Sequence, residues 1–108
     1  MEHGDAVDGL SALAHGVRLA LFRRLVRAGP DGLCPGDLQE ALGLTPSALS
    51  FHLKTLRQAG LVGVRQAGRH LFYSADFDAM NTLLQYLTEN CCAESGHDCA
   101  LPPQCATS

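Results

Sequence analysis

The sequence predicts a mainly α-helical chain with one β-hairpin, and three observations lead there. Apolar residues recur at helical spacing in several segments, each bounded by Gly, Pro or a capping residue. Two of these segments are joined by a short turn containing Gly43. Past Gly60, two short runs rich in Val, Leu, Phe and Tyr flank Ala67-Gly68, as strands flank a hairpin turn. With 108 residues, 46% hydrophobic and 18% charged, the chain fits one compact globular domain. A fold of this size buries only about two-thirds of its unfolded surface.

The elements follow in order. Leu10, Leu13 and Ala14 mark a first helix that breaks at His15-Gly16. A second helix from about Val17 sets Val17, Leu21, Leu25 and Ala28 on one face and Arg23, Arg24 and Arg27 on another. Gly29-Pro30-Asp31-Gly32 stops it. Pro35 suits the first turn of a short third helix, with Leu38, Ala41 and Leu42 inward and Gly43 closing it. Thr45-Pro46 is a cap and first-turn pair for a fourth helix, whose buried stripe is Leu49, Leu53 and Leu56 and whose end is Ala59-Gly60. LVGVRQ and RHLFYS are the hairpin strands. Phe77, Met80, Leu83, Leu84 and Leu87 mark a last amphipathic helix from about Asp76 to Asn90, with Asp76 and Asp78 at its positive end. The order is that of a winged helix-turn-helix with extra N- and C-terminal dimerisation helices. Residues 1–92 form the domain, and residues 93–108 are a cysteine-containing tail.

Charge and cysteine are unevenly spread. The net charge is -3, yet all eight basic residues lie between Arg18 and Arg69. No acid occurs from Ala41 to Ala75, a stretch holding Lys54, Arg57, Arg65 and Arg69; after it come Asp76, Asp78, Glu89, Glu94 and Asp98 with no base. An anionic partner for the middle of the chain is therefore expected despite the negative total. The apolar runs are too short for a membrane span, and MEHGDAVDG lacks the basic and apolar regions of a secretion signal. A cytoplasmic protein without a membrane partner is expected. Cys34 stands apart, whereas Cys91, Cys92, Cys99 and Cys105 crowd the end. In a reducing compartment such a cluster points to metal binding or redox sensing rather than a disulfide framework.

The second helix of a helix-turn-helix lies in the major groove and reads bases from its N-terminal half. Off the leucine stripe stand Ser47, Ala48, Ser50, Phe51, Lys54 and Arg57. Serine can bond a base edge, and Phe51 can pack on a thymine methyl. Lys54 and Arg57 suit phosphates. His52 borders the buried stripe, so a packing role and a DNA contact stand equal. Arg65 and Arg69 flank the hairpin tip, where a wing meets the DNA backbone or minor groove. The competing reading is a protein-contact module with a merely solvated basic face. The terminal helices carry more apolar surface than one small domain covers, and pairing Leu10, Leu13, Leu83, Leu84 and Leu87 with a second copy would hide it. Such a homodimer predicts a near-palindromic double-stranded operator.

LSALAHGVRLALFRRLV, DLQEALGLTPSALSFHLKTLRQAGLV and GRHLFYSA, over roughly residues 8–90, resemble the ArsR/SmtB metalloregulatory repressors. The resemblance implies a homodimer that occupies its operator when metal-free and releases it on binding a metal or metalloid. The family places one arsenic site at the start of the third helix; here GLCPGDLQ keeps Cys34 but has Gly36 and Gln39 in place of further thiols. A zinc site of the family on the last helix maps to Asp76, Asp78, Glu89 and Cys92, a set without imidazole. TENCCAESGHDCAL instead resembles arsenite sensors whose Cys-Cys pair ends the last helix before a third Cys. On that resemblance Cys91, Cys92 and Cys99 are the metal ligands and Cys105 a candidate accessory.

The same resemblance implies arsenite as the inducer, and the chemistry suits it, since trivalent arsenic is soft and favours three thiolates. Antimonite and methylarsenite share its chemistry. Zinc or cadmium would want a fourth ligand, which His97 or Cys105 could supply. Neighbouring helical residues point about 100° apart, so Cys91 and Cys92 can share an ion only where the helix ends. Oxidation of the same thiols, giving a redox-sensing repressor, is the alternative. A thiol-dependent enzyme is disfavoured, because the chain has no C-x-x-C and no phosphate-binding loop.

Overall fold

The computed structural model describes residues 1–95. In order come α1 (His3–Leu13), α2 (Gly16–Ala28), α3 (Pro35–Leu42), α4 (Pro46–Gln58), β1 (Val62–Ala67), β2 (His70–Ala75) and α5 (Phe77–Thr88). This is the mainly α, winged helix-turn-helix arrangement the sequence predicts. Local chemistry sets the boundaries. His15 is extended, and its Nδ1 accepts from the Val17 N–H at 3.2 Å, so α2 starts at Gly16. Thr45 Oγ1 accepts from the Ala48 N–H at 3.2 Å, with Pro46 in the first turn of α4. Gly43 ends α3 in the left-handed region (φ 64°, ψ 36°), a conformation that costs a residue with Cβ free energy. Asp76 Oδ1 accepts from the Ala79 N–H at 2.9 Å and caps α5.

The core is mostly leucine. Leu21 and Leu25 of α2, Leu38 of α3 and Leu49, Leu53 and Leu56 of α4 meet Leu61, Val62 and Ala75 where the hairpin joins the helices. Among the described residues no polar or charged residue is buried with them. The spacing of Leu49, Leu53 and Leu56 lets one stripe of α4 sink into this core while the other faces stay in water.

β1 and β2 are antiparallel from Val62↔Ala75 to Ala67↔His70, leaving Gly68-Arg69 as a two-residue turn. The turn thus lies one residue later than Ala67-Gly68. Gly68 (φ 63°) occupies its first central position, where a hairpin of this length requires a positive φ. The α2–α3 loop adds a short third edge: Leu33 and Tyr73 exchange both backbone hydrogen bonds, each 2.9 Å.

Several orientations depart from expectation. Ala41 is exposed, because the eight-residue α3 offers one inward face and Leu38 occupies it. Leu83 is buried within the chain itself, beside Gly9 of α1, and Leu13 packs half-buried against the core. Gly9 is buried, and a Cβ on it would lie 3.6 Å from Leu83 Cδ2, so α1 and α5 close tightly on each other. The apolar surface left outside on these helices is Val7, Leu10, Leu84 and Leu87. α5 stops at Thr88, short of Asn90. Asn90 and Cys92 take left-handed φ values of 58° and 60°, and residues 88–95 turn through Cys91 N–H to Thr88 O, Ala93 N–H to Asn90 O and Ser95 N–H to Cys92 O.

Candidate nucleic-acid interface and thiol pair

Because Leu49, Leu53 and Leu56 hold α4 by one side, Ser47, Ser50, Phe51, Lys54 and Arg57 share its exposed side. Phe51 is 62% exposed, an unusual position for a phenyl ring with no core to fill. Ala48 is half-buried and contributes mainly its N–H to the cap. Lys54 and Arg57 line a concave strip with Gln58, Gly63 and Val64, so the two basic residues of α4 border the first strand of the wing. Arg69 lies exposed in the hairpin turn.

Two residues from the same expected set are engaged elsewhere. The His52 ring packs on His15 at 4.9 Å between centroids and meets Phe51 edge-on at 5.4 Å. Its Nδ1 is buried and has no hydrogen-bond partner among the described residues. Burial, followed by the neighbouring His15 and Arg18, lowers its pKa below the usual histidine value, which favours neutral imidazole. Arg18 is itself anchored, its Nε donating to Ala12 O at 2.7 Å. The Arg65 guanidinium donates from Nη2 to Asp31 O at 3.1 Å and lies 4.5 Å over the Phe72 ring. Sequence reading had no means to find Asp31 or His15 as partners, since they lie 34 and 37 residues away from Arg65 and His52.

Beyond α5, the Cys91 and Cys92 sulfurs lie 3.6 Å apart, with Cys91 exposed and Cys92 half-buried. The left-handed residues on either side of Cys91 bring the two side chains together, which a continuing helix would not. Ser95 Oγ donates to Cys92 O at 3.1 Å and steadies the turn. Among the described residues no three His, Cys, Asp or Glu side chains are gathered as a metal set. Cys99, Cys105 and His97 lie outside the described residues. Asp76 is committed to capping α5, and Cys34 sits half-buried at the N-cap of α3.

Comparison with known proteins agrees with this geometry. Residues 13–65 match the helix-turn-helix domain family, a span from the end of α1 into β1. Nodulation protein NolR of Rhizobium meliloti is 36% identical over 91 residues, covering 82% of this chain and 72% of that protein. The arsenical resistance operon repressor of Bacillus subtilis is 36% identical over 81 residues, covering 75% of this chain and 73% of the repressor. The solved structure of HlyU from Vibrio cholerae superposes with a TM-score of 0.63 at 37% identity, over 81% of this chain and 97% of that one. No helix among the described residues is long and apolar enough to cross a membrane. With its helix order, basic wing and regulator relatives matched over most of its length, the chain belongs to the ArsR/SmtB family of transcriptional regulators.

Proposed function

We propose that this chain is an arsenic-responsive transcriptional repressor, a homodimer in the cytoplasm that leaves operator DNA when trivalent arsenic binds Cys91, Cys92 and Cys99. The thiol separation carries this reading. An ion with sulfur bonds of about 2.3 Å and bond angles near 90–110° needs its sulfurs roughly 3.3–3.8 Å apart. The Cys91 and Cys92 sulfurs already stand at 3.6 Å. A soft ion therefore meets two preset ligands, and Cys99 supplies the third. Methylarsenite needs only two thiols, and antimonite takes three; zinc or cadmium would draw on His97 or Cys105 as well.

Val7, Leu10, Leu84 and Leu87 give the terminal helices an apolar face that a second copy can cover. A two-fold dimer offers its α4 helices to half-sites about 34–36 Å apart on a near-palindromic duplex. Ser47, Ser50 and Phe51 then read bases, while Lys54, Arg57 and Arg69 neutralise phosphates. Three such contacts per subunit predict a salt slope of about −5. The ion reorganises the turn directly after α5, shifts the dimer contact and alters the spacing of the two α4 helices. Coupling of about 1–3 kcal/mol per site would weaken DNA binding by tens- to thousands-fold for two sites.

The test is fluorescence anisotropy on duplexes that the protein selects from a random-sequence library. Arsenite, antimonite, methylarsenite, zinc and cadmium are titrated against wild type, Cys91→Ser/Cys92→Ser and Cys99→Ser proteins. Release by arsenite from wild type but not from the double variant is expected. Equal release from both removes the thiol site. Release by peroxide alone, reversed by dithiothreitol, would identify a redox sensor. Release by zinc or cadmium alone would identify a divalent-metal sensor.

A further inference from the structure

We propose that Arg65 is a positioning residue, a strut that sets the wing against the helix-turn-helix, and not a DNA contact. This rests on the reading above that the wing meets DNA. Arg65 faces Phe72 across the hairpin, its guanidinium 4.5 Å over that ring, and Nη2 reaches 3.1 Å to the Asp31 carbonyl. A planar guanidinium can stack and donate at once, which a lysine ammonium cannot do in the same geometry.

The loop that receives it is bound to the wing at two further points. Leu33 and Tyr73 exchange two backbone hydrogen bonds, and Gly32 lies so close that a Cβ there would strike the Tyr73 carbonyl. The same loop ends at Cys34, the N-cap of α3. Asp31, Gly32 and Leu33 thus tie both hairpin strands to the first helix of the helix-turn-helix. This loop holds the wing on its α3 side, beside the direct packing of the hairpin on α2 and α4, and Arg65 closes the loop's outer edge.

The experiment compares Arg65→Ala, Arg65→Lys and Arg69→Ala in DNA affinity across a salt series, with hydrogen exchange of the free proteins. A strut and a phosphate contact differ in their salt dependence. Losing one phosphate contact from each of two subunits flattens the slope by about 1.8, whereas losing a strut lowers affinity at every salt and keeps the slope. For both Arg65 variants we expect affinity about 3- to 10-fold weaker, an unchanged slope and faster exchange at the Leu33 and Tyr73 amides. Arg69→Ala should flatten the slope. A flattened slope in Arg65→Ala, full rescue by lysine, or unchanged affinity and exchange would each overturn the proposal. If Arg69→Ala leaves the slope untouched, the wing–DNA reading fails instead, and the amide exchange still decides whether Arg65 holds the loop.

Discussion

Replacing Gly32 by alanine tests the junction between loop and wing most directly. Gly32 has φ 77°, a backbone region that costs a residue with Cβ about 1–2 kcal/mol. The added Cβ would strike the Tyr73 carbonyl oxygen, with Tyr73 C at 2.9 Å and Ser74 Cβ at 3.3 Å. These neighbours belong to β2, so relief requires the strand to move away from the loop. Moving it breaks the two 2.9 Å hydrogen bonds between Leu33 and Tyr73, each worth about 0.5–1.5 kcal/mol. Strain and lost bonds together come to about 2–5 kcal/mol. Gly43 is the control: its φ is 64°, but a Cβ there meets nothing within 4 Å, so alanine costs only the strain of about 1–2 kcal/mol. Urea unfolding at one fixed protein concentration measures both, since a dimer's midpoint depends on concentration. With m near 1.5–2 kcal/mol/M, Gly32→Ala should lower the midpoint by about 1–3 M, and Gly43→Ala by about 0.5–1.3 M, the excess being the two lost hydrogen bonds. If the two variants unfold within about 0.3 M of each other, the loop is not packed on the wing as described.

Phe51→Ala should leave urea stability within about 0.5 kcal/mol while weakening binding to the selected duplex by roughly 5- to 150-fold; unchanged affinity would remove Phe51 from the interface. Leu56 is completely buried, so Leu56→Ala should cost about 2–5 kcal/mol in the same unfolding assay, and a loss under about 1 kcal/mol would contradict its place in the core. Thr45→Ala removes the α4 cap and should cost about 1 kcal/mol. His52 has a lowered pKa in the fold, so the unfolded chain takes up its proton more readily. Its contribution to stability is complete above the ordinary histidine pKa of about 6.5 and is lost as pH falls below it. Urea midpoints between pH 7.5 and 5 should therefore decline more steeply in wild type than in His52→Gln; parallel declines would refute the assignment.

The element types and their order were legible in the sequence because their causes are local. Thr45 and Pro46 start α4, Gly43 ends α3 and the leucine stripe of α4 repeats within two turns, so a few neighbouring residues suffice to specify each. The basic stretch from Lys54 to Arg69 was equally plain, since charge is counted along the chain. Facing directions at the margins were less so. Ala41, Leu13 and Leu83 lie beside buried stripes, and packing of α1 on α5 or the shortness of α3 decided which way each turned.

By itself, then, the sequence determined a helix-turn-helix with a basic wing, two apolar terminal helices and a crowd of thiols after the last one. Tertiary structure alone decided which of the basic and aromatic groups gain partners from distant segments. It turned His52 onto His15 and the exposed Arg65 onto the Asp31 carbonyl, while Ser47, Ser50, Phe51, Lys54, Arg57 and Arg69 lie exposed on α4 and the hairpin turn. It also ended α5 at Thr88, so that Cys91 and Cys92 approach to 3.6 Å instead of pointing apart. The physical reason is range: a cap or an apolar period acts over one or two turns. A ring stack or a side-chain bond to a distant carbonyl exists only after segments more than thirty residues apart have packed together.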